Sequence, residues 1–132
     1  MTSQDASTKE TKEIVKLMHA NLIGVFNERS SSARLAAIKS IYTPDFIFYE
    51  PDKAFQGHAA VDACVQALLD KYPGWVFRPA GPVSVNHNLG VLSWHFGPEG
   101  EDSKVNGTDI AVIEGGKMKT LHLLMEGKTE AE

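Results

Sequence analysis

Cysteine is almost absent from this 132-residue chain: Cys64 stands alone, which rules out an intrachain disulfide. Basic runs are missing too. Lys and Arg number 13 against 17 Asp and Glu, for a formal net charge of -4. Phosphate binding needs clustered Lys and Arg, so no nucleic-acid partner is expected. No apolar run is long enough to cross a bilayer, so no membrane association is expected. The opening stretch Met1–Glu13 is polar and charged and lacks the apolar segment of a secretory signal. A reducing, cytoplasmic setting is the resulting expectation. The chain also lacks a zinc-type Cys/His spacing, a nucleophile elbow, a phosphate loop and a dinucleotide fingerprint. Neither a metal nor an organic cofactor is expected.

What remains is an ordinary globular composition, 42% hydrophobic and 23% charged, in a length suited to one domain with its own core. Residues 1–6 and 127–132 are polar and are expected to be flexible. Ser7 and Glu10 have capping-box spacing, which predicts a helix from near Thr8 to Asn27–Arg29, with Ile14, Met18, Leu22 and Val25–Phe26 on its inner stripe. Ser30–Ser32 would cap a second helix carrying Leu35, Ile38 and Tyr42 and stopped by Pro44. Phe46–Tyr49 reads as a strand. Gly57 would open a third helix with Val61, Val65, Leu68 and Tyr72 on one stripe, ended by Pro73-Gly74. Trp75–Val85 reads as an extended segment bent by Pro79 and Pro82. Strands are predicted at Leu89–Phe96, Val105–Ile113 and Met118–Met125, with turns at Asn86-His87-Asn88 and Gly115-Gly116 and a polar loop at Gly97–Asp102. Helices early and strands late argue for an α+β fold in which a bent sheet wraps over helices and leaves a hollow.

Two carboxylates are candidates for chemistry. Asp109 interrupts the apolar strand Thr108-Asp109-Ile110-Ala111-Val112-Ile113, and period 2 places it on one face with Ala111 and Ile113. Facing the hollow, it would lose solvation, its pKa would rise, and it could exchange a proton near neutral pH. Facing solvent, it would be a plain strand-end aspartate. Glu50 closes the aromatic strand just before Pro51, either at the mouth of the hollow or as an exposed strand end. Meeting in one pocket, the two would supply one acid and one base. Tyr72, Trp75, Trp94 and Phe96 could wall such a pocket or simply be core. Of the five histidines, His122, between Leu121 and Leu123, is the one expected to be enclosed. Cys64 reads as a small core residue of the third helix.

Several strings, in order and spacing, resemble the nuclear transport factor 2-like superfamily over roughly Ile14–Met125. They are Tyr42-Thr43-Pro44-Asp45, Glu50-Pro51, Gly57, Gly81-Pro82-Val83 with His87-Asn88, Gly107-Thr108-Asp109 and Gly116-Lys117-Met118. The SnoaL-like polyketide cyclases and ketosteroid isomerases look most similar. The resemblance implies a cone-shaped, cystatin-like α+β barrel, with three helices from the N-terminal half packed on a strongly bent, mostly antiparallel sheet. It places the isomerases' general base on Glu50 and their protonated oxyanion-hole aspartate on Asp109, where the cyclases carry a strand acid/base. Trp94, Phe96, Leu121 and Met125 fall on pocket-wall positions. Asn21 stands where the isomerases hold a tyrosine donor, so that donor is missing. The expected function is acid/base chemistry of an isomerase, cyclase or hydration type on a small apolar polyketide- or terpenoid-like molecule. The alternative is a non-catalytic ligand-binding or dimerisation module of the same fold, with Thr108, Ile110 and Val112 on the outer face. The resemblance also implies a homodimer formed through the sheet.

Overall fold

The computed structural model describes residues 2–127, and side chains from Thr8 onward. Helix α1 spans Thr2–His19, so it starts before the Ser7/Glu10 pair, which lies inside it. Met1 and residues 128–132, expected to be flexible, lie outside the described residues, and 2–6 are helical. Thr8–Glu13 are exposed, and the inner stripe begins at Ile14 and Met18, 1% and 0% exposed. After His19 the helix continues in π form over Ala20–Phe26. The wider π turn brings adjacent residues to one face, and Asn21, Leu22, Val25 and Phe26 are all buried. Asn27 closes the segment. Its Nδ2 donates to Phe77 O at 2.7 Å, and Phe77 N donates back to its Oδ1 at 2.7 Å.

Helix α2 spans Ser31–Ile41, and Ser30 Oγ accepts from Ala33 N in the capping role expected of the serine run. The inner face differs from the expected one. It carries Arg34, Ile38 and Ile41, while Leu35 is 42% exposed. The guanidinium is tolerated inside because Asp62 (2.7 Å), Gln66 (2.5 Å) and Glu28 O (2.7 Å) take its protons. These bonds tie α2 to helix α3, His58–Lys71, whose buried side is Val61, Val65 and Leu69. Arg29 reaches Leu69 O, Tyr72 O and Trp75 O and so holds the carboxyl end of α3.

Strand β1 begins at Tyr42 and runs to Tyr49, four residues earlier than the aromatic run predicts. Pro44 therefore sits within a strand instead of stopping a helix. It lies where the register of β1 on β7 shifts, between Tyr42 and Ile47, and a residue without an N–H is accommodated there. The short strand β2, Ala54–Gln56, folds back antiparallel on β1. The proline-bent segment resolves into β3, Trp75–Pro79, and β4, Ser84–Asn86, both paired to β5, Leu89–Pro98. Strands β6, Val105–Glu114, and β7, Lys117–Met125, complete a seven-stranded sheet ordered β2-β1-β7-β6-β5-β3, with β4 also on β5. Every pairing is antiparallel except β1 with β7. The helices cover one face, and the core lies between, from Met18 and Leu22 to Leu92, Ala111 and Leu121. At Gly90 a Cβ would fall within 3.0 Å of Met18 and Ile14 atoms, so the missing side chain lets α1 lie close on β5.

Candidate active site

Strand β6 alternates as its sequence demands. Gly107, Asp109, Ala111 and Ile113 turn inward and are buried, and Thr108, Ile110 and Val112 face outward. Asp109 is thereby placed in the hollow, 5% exposed. Both carboxyl oxygens accept hydrogen bonds from neutral donors. Trp94 Nε1 donates to Oδ1 at 3.0 Å, and Asn21 Nδ2 donates to Oδ2 at 3.4 Å. Asn21 Oδ1 in turn accepts the Tyr42 hydroxyl proton. Burial without a nearby cation pushes the Asp109 carboxyl up to about 7, against a smaller opposing pull from the Trp94 bond. Tyr42 is fully buried, and desolvation, with the negative charge of Asp109 next, holds its phenol well above the ordinary range.

Asp109 lines a cavity of about 310 Å³. The walls are apolar: Leu22 and Phe26 from the π segment, Phe48 from β1, Leu68 from α3, Phe77, Trp94, Phe96 and Val105 from the adjoining strands, and Leu123 and Met125 from β7. Phe77 stacks on Phe96 at 4.1 Å between ring centroids and meets Trp94 edge-on at 5.0 Å. The polar groups besides Asp109 belong to Glu50, Asp52, Cys64 and Tyr72. Lys, Arg and His are missing from this lining. Glu50 is half-buried, while Pro51 and Asp52 are exposed, which puts these three at the mouth. Glu50 follows Tyr49, which pairs with His122, and Asp109 pairs with Leu123. The two carboxylates are thus about two strand spacings, roughly 10 Å, apart at the backbone with β7 between them. Cys64 Sγ donates to Glu50 Oε1 at 3.5 Å. Burial, then the Glu50 carboxylate, pushes this thiol up to about 12.

The cavity therefore gathers Asp109, Glu50, Tyr72, Trp94, Phe96 and Met125 from the residues singled out in the sequence. It leaves out three others. Asn21 lies behind Asp109, Trp75 packs against Tyr72 (4.5 Å) and Phe96 (5.2 Å) outside the lining, and Leu121 is sealed in the core while Leu123 takes the wall. His122 is exposed on the outer face, stacked on Tyr49 at 4.5 Å, because the alternation of β7 turns Leu121 and Leu123 inward. Sequence reasoning missed Tyr42 as a partner of the site, since its spacing matched the helical stripe, and Gly107 as the space for Trp94. Among the described residues, no three His, Cys, Asp or Glu side chains cluster so as to hold a metal ion. No helix there is long and apolar enough to cross a membrane.

A curved sheet closed over helices, with one buried acid in an apolar cavity, places the chain among the α+β pocket domains. The SnoaL-like domain model matches residues 24–120, and the chain belongs to that family. No curated protein matches it. Solved structures share the fold. A SnoaL-like family protein from Agrobacterium tumefaciens str. C58, provisionally assigned as an isomerase, superposes with a TM-score of 0.81 at 20% identity, over 88% of this chain and 99% of that one. A SnoaL-like protein from Jannaschia sp. CCS1, provisionally assigned as a polyketide cyclase, gives 0.72 at 13% identity, covering 87% and 86%. A protein from Kribbella flavida DSM 17836, provisionally assigned as a ketosteroid isomerase, gives 0.68 at 14%, covering 92% and 83%. Further matches have a cystatin-like or nuclear transport factor 2-like fold.

Proposed function

We propose that the chain is an enzyme that moves protons on a small, largely apolar, oxygen-bearing molecule of polyketide or terpenoid kind, in an isomerisation, cyclisation or hydration-type reaction. The observation that carries this reading is Asp109: a carboxyl set in an apolar cavity, held on both oxygens by neutral donors, with its pKa raised to about 7. As a carboxylate it would take a proton from a carbon beside a ligand carbonyl, the electron pair moving onto the carbonyl oxygen. Protonated, it would return that proton to another carbon. Glu50 would assist from the mouth. The names given to the A. tumefaciens and Jannaschia proteins, an isomerase and a cyclase, agree with chemistry of this class. Because carboxyl groups line the cavity without a Lys, Arg or His, the ligand is uncharged or cationic.

The test is turnover of a panel of neutral polycyclic and terpenoid ketones by wild type, Asp109→Asn and Asp109→Ala. Loss of at least about a hundredfold in both variants is expected of a group that transfers the proton. Full activity in Asp109→Ala rejects the proposal. We further infer a homodimer through the outer sheet face, where Leu124 on β7 is 49% exposed and Ile110 and Val112 on β6 are half-buried. A monomer by light scattering at micromolar concentration would remove it.

A further inference from the structure

We propose that Tyr42 is a positioning residue for Asp109 and acts through Asn21, its hydroxyl proton fixing which end of the Asn21 amide meets the carboxylate. This rests on the reading of Asp109 as the proton-transfer group. The geometry is a chain of three buried side chains from three separate elements. Tyr42 on β1 donates to Asn21 Oδ1, and Asn21 on the π segment donates from Nδ2 to Asp109 Oδ2 on β6 at 3.4 Å. Tyr42 and Asn21 are each 0% exposed, so water does not substitute for either partner.

An amide can sit either way round, and its neighbours choose. With Nδ2 toward Asp109, the amide stabilises the carboxylate. Turned over, it would aim Oδ1 at the carboxylate, which only a protonated Asp109 could satisfy. A phenol oxygen can accept as well as donate, but with the amide turned over the buried Tyr42 proton would be left without an acceptor, and that cost selects the orientation with Oδ1 on its side. The phenol is itself pinned. Its ring stacks on Phe46 at 3.7 Å and 3°, and His58, anchored on Thr43 O at 2.9 Å, meets its edge at 6.4 Å. The second oxygen of Asp109 is bound by Trp94 Nε1, which can only donate. Both protein partners are thus donors, and the carboxylate is kept as an acceptor with lone pairs left for the cavity. The π form of Ala20–Phe26 contributes by seating Asn21 beside Leu22 on the inner face.

The other titratable groups facing the cavity are Glu50 and Asp52 after β1, Cys64 on α3 and Tyr72 at its end, and none of them hydrogen-bonds to the Asn21 side chain. Tyr42 itself lies close enough to the charges of Asp109 and Cys64 to feel them, and His58 meets its ring, but its hydroxyl hydrogen bond goes to Asn21, so the hydrogen-bonded route from Tyr42 to Asp109 runs by way of the amide.

The experiment is a carbon-detected NMR titration of Asp109 in wild type, Tyr42→Phe, Asn21→Leu and the double variant. Tyr42→Phe keeps the ring and its stacking. In it the Asp109 titration is expected to move up by as much as about one pH unit, the worth of a hydrogen bond to a charged group being an upper bound for a bond 3.4 Å long. Asn21→Leu is expected to move it up at least as far, and adding Tyr42→Phe to Asn21→Leu should change nothing more. A merely structural tyrosine would leave the titration in place or add its effect independently, and either result overturns the proposal. Should Tyr42→Phe not fold, the Asn21 Nδ2 protons of the wild type decide. They should follow the Asp109 titration, and their indifference to it overturns the proposal. A wild-type Asp109 that titrates near the free-aspartate value would instead overturn the acid/base reading, whatever Tyr42 does.

Discussion

Trp94 reaches Asp109 because the residue directly across from it on β6 is Gly107. A Cβ at 107 would come within 3.0 Å of three atoms of the indole, so the ring lies where a side chain would otherwise be. Gly107→Ala is expected to displace the indole and cost about 1–3 kcal/mol in stability, the range for overpacking a close-packed core. With the Trp94 bond lost, the Asp109 carboxyl should titrate higher than in the wild type. Chemical denaturation, with Trp fluorescence and an Asp109 titration, checks both. An alanine variant with native fluorescence and stability would show that the strand has room after all.

The raised Asp109 carboxyl has a definite consequence for stability against pH. The group goes from an ordinary 3.8 to about 7 on folding, so the folded chain binds the proton more tightly. Its stabilising contribution is full below about 3.8 and is lost as pH rises to about 7. Relative to Asp109→Asn, the wild type should lose stability across that window by up to something on the order of 4 kcal/mol, with a plateau above it. Urea denaturation of the two proteins at several pH values measures this difference. A pH-independent difference would mean that the carboxyl is solvated in the folded state.

The Arg34–Asp62 pair should be among the costliest to break. Arg34 has a side chain 0% exposed, against 19% for Asp62. Asp62→Ala leaves the guanidinium buried with only Gln66 and Glu28 O, and a loss of about 3–5 kcal/mol is expected by thermal or chemical denaturation. Replacing Arg34 by Met, which removes the charge and keeps the length, should cost less than Asp62→Ala. The reverse order would show that the stem's packing matters more than the charge.

Cys64 should be a poor nucleophile despite lining the cavity. Its thiol is pushed up to about 12 by burial and by the Glu50 carboxylate, so almost no thiolate forms near neutral pH. Alkylation by iodoacetamide at pH 7.5–8, buffered as is usual (roughly one pH unit below a free thiol's midpoint), should be far slower than for a free thiol. Glu50→Gln should speed it. Equal rates in the two proteins would separate Cys64 from Glu50.

Much of this arrangement was legible along the chain. Turn residues, helical stripes and strand alternation are local regularities, and they delivered most of the element order, most strand bounds and the grouping of Asp109 with Ala111 and Ile113 on one face, leaving open whether that face met the hollow or solvent. They failed where contacts distant in sequence outweighed local pattern. Arg34 took the inner face from Leu35 because Asp62 and Gln66, on the next helix, accept its protons. Tyr42 left the helix for β1 because β7 was there to pair with it. Strand β2 carried no pattern of its own and exists through β1.

The sequence by itself determined that Asp109 would share a strand face with the apolar Ala111 and Ile113, since side-chain alternation follows from backbone geometry alone, and the packing of the helices decided that this face is the inner one. It also determined that no charge lies within four residues of that carboxylate on either side along the chain. Only the tertiary structure decided what surrounds it. Asn21, Tyr42 and Trp94 lie 88, 67 and 15 positions away along the chain, and desolvation and hydrogen bonding depend on who arrives in space, which no local regularity encodes.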